Sequence, residues 1–158
     1  MRPLLLLVMS GMVFASCGNE AGSYTGRMSV TSPDAASTPL AVRLSPEKPT
    51  VTGFADVSCR LVPGFETAFD VIVTGGSGLN LDRVTLQMLD GTHLGSALTF
   101  PTPVLSTMFG STVIVGSRSF RFKPRFGCLG ITPQVLVVDL LFRDRFGTTL
   151  PFTLNTKF

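Results

Sequence analysis

The sequence predicts an all-β protein built as a β-sandwich, and the strongest indication is a hairpin near the C-terminus. Residues Gln134 to Phe142 are apolar on both alternating faces apart from Asp139, and Arg143 to Gly147 follow as a turn. Apolar and polar residues then alternate from Leu150 to Asn155. A hairpin with this much apolar surface needs a second sheet to cover it. Sixteen glycines, eleven prolines and no long segment of helical periodicity also favour a β protein over a helical bundle.

The N-terminus is laid out as a secretory signal peptide. A basic residue, Arg2, is followed by a short apolar run and by small residues just before Cys17, and the run is too short to span a bilayer. The four residues from Phe14 to Cys17 resemble the lipobox of bacterial lipoproteins, in which lipid is attached to the cysteine thiol before cleavage. The resemblance implies a signal peptide over residues 1–16 and a lipidated Cys17. An ordinary signal cleaved after Ala15 is the alternative.

A flexible tether is predicted between the signal peptide and the folded domain. Residues 18–39 contain fifteen Gly, Ala, Ser, Thr or Pro and show no apolar periodicity. Residue Gly18, rather than an aspartate, follows Cys17. By resemblance to the lipoprotein sorting rule of Gram-negative bacteria, this implies a lipid anchor in the outer membrane. We therefore expect a protein of the bacterial cell envelope with a tether over 17–39 and a folded domain over 40–158.

Alternating segments predict about seven to nine short strands. Residues 40–44 and 57–61 indicate one edge strand interrupted by prolines, and residues 69–73 indicate another strand that ends at a glycine-rich loop. Asp90-Gly91 predicts a type I′ hairpin turn. Residues 101–110 contain two prolines, so we expect no central strand there and at most one helical turn.

The stretch from Phe69 to Gly76, a following Val-Thr strand and the Asp-Gly turn resemble bacterial immunoglobulin-like extracellular domains. The resemblance covers about residues 40–158 and implies an immunoglobulin-like or fibronectin-like sandwich. In an immunoglobulin-like strand order, the connection between strands A and B and the connection between strands E and F lie at the same end of the sandwich. Cys59 and Cys128 fall in these two connections.

The chain has three cysteines, and an odd number in a secreted protein leaves one thiol to be explained. If Cys17 carries lipid, Cys59 and Cys128 form a single disulfide in an oxidising compartment. We expect this disulfide to be structural, because no Cys-x-x-Cys motif is present and no histidine is near either cysteine.

No catalytic, cofactor or metal site is predicted. His93 is the only histidine and lies beside the hairpin turn, and residues 75–79 miss the Gly-x-Ser-x-Gly motif at the last position. One histidine excludes the sites in which two histidines bind copper or zinc. Asp70 and Asp139 lie within predicted strands, and we interpret each as facing an edge or an arginine such as Arg43 or Arg60 rather than as half of a glycosidase pair.

Basic residues are concentrated in the second half of the chain. Seven basic and two acidic residues follow Asp90, whereas five basic and eight acidic residues lie between Cys17 and Asp90. Alternation places three cations on one strand face and the adjacent Phe120 and Phe122 on the other. A solvated strand face is the alternative to a binding site. The candidate binding residues are Arg121, Lys123, Arg125, Arg143 and Arg145.

These observations predict a membrane-anchored, non-enzymatic binding or structural module. The partner would be a protein or an anionic polymer such as lipopolysaccharide, and not nucleic acid, which requires exposed aromatic residues among the cations. The loops Gly75 to Asn80 and Arg143 to Gly147 are expected to contact it, at the pole opposite the disulfide. The alternatives are a small envelope hydrolase and an accessory subunit that docks through the strand at 134–142.

Overall fold

The computed structural model describes residues 27–28, 39–55, 57 and 62–158, and this part of the chain is nearly all β. Helix α1 (Thr102–Phe109) lies between the seventh and eighth strands. The eleven strands in chain order are β1 (Arg27–Met28), β2 (Leu40–Ser45), β3 (Val51–Phe54), β4 (Gly64–Thr67), β5 (Phe69–Thr74), β6 (Asn80–Asp90), β7 (His93–Pro101), β8 (Ser117–Phe122), β9 (Arg125–Phe126), β10 (Val135–Arg143) and β11 (Thr149–Lys157). The predicted all-β fold is confirmed.

Two four-stranded antiparallel sheets form the sandwich. Their strand orders are β1-β2-β5-β8 and β11-β10-β6-β7. Buried side chains alternate with more exposed ones along β2, β5, β10 and β11, and the buried side chains of the two sheets form a single core. Taking β2, β5 and β8 as strands A, B and E, and β6, β7, β10 and β11 as C, C′, F and G, the order is immunoglobulin-like. The predicted β-sandwich is confirmed, and this strand order agrees with the immunoglobulin-like arrangement expected from the sequence.

A third, three-stranded sheet of order β3-β4-β9 explains why the structure has more strands than the predicted seven to nine. Phe65 in β4 pairs with Phe126 in β9, which joins the connection after β2 to the connection after β8. The Leu129 amide also donates to the Pro63 carbonyl at 3.3 Å. The two connections therefore lie at one pole, as predicted. Cys59 lies outside the described residues, so its pairing with Cys128 stays a prediction.

The predicted edge strand in two pieces is wrong. The first piece, β2, is not an edge, because it pairs with β1 on one side and β5 on the other. After the prolines, the chain enters β3 in the small sheet, and Val57 is fully exposed in a turn. Strand β1 lies within the predicted tether, where no strand is expected from the composition. The pairing of β1 with β2 uses backbone donors and acceptors, which can order a segment of any composition.

Helix α1 is longer than the single turn expected from its two prolines. It spans eight residues, because Pro103 lies in the first turn, where its missing N–H removes no helical hydrogen bond. Gly110 follows the helix with a φ of 74°. The β6–β7 hairpin forms at the predicted place. Asp90 pairs with His93, so the two turn residues are Gly91 and Thr92, one position later than the predicted Asp90-Gly91. Of these two only Gly91 has positive φ, which fits a type II′ turn rather than the predicted type I′.

Candidate functional site

The two loops predicted to contact a partner lie at the same end of the sandwich. Arg143, the last residue of β10, pairs with Asn80, and Asn80 forms a bridge to Val113. The Ile114 amide donates to the Leu79 carbonyl at 2.7 Å, which adds the chain after α1 to this end. We define the loop pole as residues 75–79, 110–116 and 144–148.

The β10–β11 turn at the loop pole is tightly hydrogen-bonded. Asp144 Oδ1 accepts from the backbone amides of Phe146 and Thr148, each at 2.8 Å. The Gly147 amide donates to the Asp144 carbonyl at 3.1 Å. The turn holds the Phe146 side chain 76% exposed, with the Arg145 guanidinium 4.7 Å from the ring centre. Because the turn is held by its own hydrogen bonds, it presents an arginine and an aromatic ring to the solvent.

Arg143, predicted as a candidate binding residue, is occupied by an ion pair. Its Nη2 donates to Asp82 Oδ2 at 2.9 Å, and Thr102 Oγ1 lies 3.0 Å from Asp82 Oδ1. The hydrogen bond from Arg143 holds the pKa of the Asp82 carboxyl below its usual value, and the Thr102 hydroxyl acts in the same direction. The contacts join β10, β6 and the start of α1, which favours a structural role for Arg143.

This ion pair predicts a pH dependence of stability. The lowered pKa of Asp82 means that the folded state favours the ionised carboxylate, so the stabilisation is present at neutral pH. It starts to be lost as the pH falls to about 4, the ordinary pKa of an aspartate, and is gone below the lowered pKa of the folded state. We expect Arg143→Met to lose less stability than the wild type between about pH 6 and pH 3. Urea denaturation across this range measures the effect. Arg145→Met is the control, and equal slopes for the two variants would contradict the role of the pair.

The predicted basic strand face is divided among three structural contexts. Phe120 and Phe122 are buried and the intervening cations are exposed, as the alternation predicts. However, Arg121 lies in β8, Lys123 in the following connection and Arg125 in β9.

The three cations also differ in their partners. Arg121 is opposite Asp70 of β5. Arg125 Nε lies 3.3 Å from Glu66 Oε2, and its guanidinium is 4.1 Å from the centre of the Phe54 ring. In the described part of the chain, no carboxylate forms an ion pair with Lys123. Arg121 forms no ion pair in these residues either, and of the two cations Lys123 is the one that borders a cleft.

A cleft of about 350 Å³ lies next to Lys123, between β7 and β8, which are edge strands of the two main sheets. Its floor is apolar, because the half-buried Leu98 and Phe100 line it, and the Phe100 ring packs edge-on against the fully buried Phe122 with ring centres 5.6 Å apart. Its rim carries Lys123 and Arg125. We call this cleft the edge groove, and its lining residues are Leu98, Thr99, Phe100, Met108, Phe122, Lys123, Pro124 and Arg125.

The sequence pattern identified the cations of the edge groove but not its apolar wall. Leu98 and Phe100 belong to the other sheet and Met108 to helix α1. Along β7, half-buried residues alternate only weakly with exposed ones. Such a pattern indicates an edge strand, but it does not identify the strand of the other sheet that forms the opposite wall of the groove.

No protein-family model matches the sequence, and no curated protein is a significant match. Within the described residues, no helix is long and apolar enough to span a membrane. No group of three or more His, Cys, Asp or Glu side chains in the same residues could hold a metal ion.

The residues considered for catalysis are separated in the structure. His93 is exposed at the β6–β7 hairpin, away from both aspartates. Asp139 accepts hydrogen bonds from Gln87 at 2.9 Å and Thr153 at 2.7 Å, so neutral donors rather than an arginine are its hydrogen-bond partners. Asp70 and Asp139 alternate with buried residues of different main sheets. They therefore lie on opposite outer faces of the sandwich and cannot act together as a glycosidase pair.

Proposed function

We propose that this protein is a lipid-anchored, non-enzymatic binding module of the bacterial cell envelope that takes an anionic ligand with an apolar part in the edge groove. The observation that carries the proposal is the combination of an apolar floor with the exposed ammonium group of Lys123. Burial of apolar ligand surface contributes about 25 cal/mol per Å². A nearby cation adds selectivity for a negative charge.

The lipid anchor is supported by the lipobox-like sequence that ends at Cys17 and by the composition of the residues that follow it. An anchored module would meet lipopolysaccharide and other anionic amphiphiles in the outer membrane, and these have the chemistry that the edge groove favours. The accessory-subunit alternative is less favoured. Strand β10 pairs with β11 and β6 on its two sides, so its backbone is not open to a partner strand.

We expect Lys123→Glu to weaken the binding of an apolar anion about tenfold. The substitution removes one exposed charge contact and adds a repulsion of similar size, each at most about 1 kcal/mol. The probe is 1-anilinonaphthalene-8-sulfonate, whose affinity is measured by fluorescence titration, with lipopolysaccharide as competitor. Met108→Ser is expected to weaken the binding of the same probe, because the groove then offers it less apolar surface.

Lys157→Glu is the matched control, because Lys157 is exposed at the end of β11, on the opposite edge of its sheet, and the net charge changes equally. If the two lysine variants weaken binding equally, the effect is one of overall charge and the edge groove is not the site. Consumption of a bound lipid or glycan by the wild type would favour the hydrolase alternative.

A further inference from the structure

We infer that the loop pole lies against the lipid surface, so that exposed apolar side chains there contact the bilayer. This inference rests on the lipid anchor in the proposed function. Its first support is the place where the chain enters the sandwich. Ala41, near the start of β2, pairs with Thr74, the last residue of β5 before the loop pole. Arg27 of β1 pairs with the same Ala41, and because the two strands are antiparallel, β1 ends and β2 begins at this pole.

The length of chain between the anchor and β1 is the second support. Residues 18–26 connect Cys17 to β1, and as a flexible coil they would span about 17 Å on average. Strand β10 has nine residues and therefore extends about 26 Å from one pole to the other. An anchor attached beside the loop pole thus keeps this pole nearer the lipid than the opposite pole.

The exposed residues of the loop pole have the chemistry of a lipid contact. Val113 is 42% exposed, and Val115 and Phe146 are each 76% exposed. Val113 and Val115 lie beside the β5–β6 loop, because the Gly78 amide of that loop donates to the carbonyl of the intervening Ile114 at 3.0 Å. Arg145 stacks on Phe146, and a guanidinium matches the geometry of lipid phosphates. Apolar side chains with adjacent cations are typical of surfaces that bind at the membrane interface.

Hydrogen bonds and an ion pair also hold the β10–β11 turn of the loop pole in place, which keeps its exposed side chains out of the core. Asp144 holds the β10–β11 turn, and the ion pair between Arg143 and Asp82 holds the strand that leads into it. The edge groove remains accessible in this orientation. Its cation Lys123 follows Phe122, which pairs with Phe69 at the end of β5 remote from the loop pole.

The orientation can be tested with a single indole, because the natural chain contains no tryptophan. Phe146→Trp places the indole at the loop pole. Leu94→Trp is the matched control, since Leu94 is 57% exposed beside the β6–β7 hairpin at the opposite pole. Each full-length protein is purified from membranes and reconstituted into phosphatidylethanolamine and phosphatidylglycerol vesicles that carry brominated acyl chains. We expect the F146W protein to lose most of its fluorescence and to emit at shorter wavelength, and the L94W protein to keep both.

Vesicle flotation separates the two ways in which this experiment can fail. If the protein floats with the vesicles and its Cys17→Ser variant does not, the lipid anchor is present. Equal quenching of F146W and L94W, or quenching of neither, then overturns the orientation alone. If the unsubstituted protein floats no better than the Cys17→Ser variant, the lipid anchor is overturned, and the orientation with it.

Discussion

Replacing Phe122 by alanine is expected to lower the free energy of unfolding by about 3–5 kcal/mol. The side chain is fully buried, and its ring centre lies 5.8 Å from that of Phe69, 5.6 Å from Phe100 and 5.3 Å from Phe109. These three rings belong to β5, β7 and α1. The substitution therefore opens a cavity where both sheets and the helix meet, and rigid elements on three sides cannot close it.

Urea denaturation followed by circular dichroism measures this loss, provided that the transition is two-state. Phe146→Ala is the matched control, because it removes the same atoms from a side chain that is 76% exposed. The control is expected to change stability by no more than about 0.5 kcal/mol. A similarly small change for Phe122→Ala would show that this ring does not join the two sheets.

Loss of the predicted disulfide between Cys59 and Cys128 is expected to cost about 4 kcal/mol. The bond would close a loop of roughly 70 residues, and in the loop-entropy model its removal gives the unfolded chain that much extra conformational entropy. The structure supports the pairing through the surrounding backbone. The hydrogen bond from Leu129 to Pro63 and the pairing of Phe65 with Phe126 bring the two flanking segments together.

The variants Cys59→Ala, Cys128→Ala and the double variant test this prediction under oxidising conditions. If the two cysteines form one bond, each single variant is destabilised by about the same amount, and the double variant is no less stable than either. Urea denaturation of the three proteins, with the reduced wild type as reference, measures these differences. Additive losses, or one single variant with wild-type stability, would contradict the pairing.

Much of the sandwich could be predicted because strand alternation is local. The period of two along a strand places Phe120 and Phe122 in the core and the adjacent cations outside, whichever strand lies next to them. The same reasoning located the β10–β11 hairpin and, to within one residue, the β6–β7 turn. It failed at β1 and β3, where the partner strand rather than the local composition determines the structure.

The sequence by itself determined the all-β class, the inward and outward faces of most strands and the residues that lie in turns. Only the tertiary structure decided which cations remain available to a ligand. Arg125 forms an ion pair with Glu66, and Arg143 with Asp82, because strands distant in sequence pair in a particular register. The pattern of charges along the chain does not determine that register. The edge groove likewise exists because β7 and β8 end neighbouring sheets, which is a property of how the sheets pack.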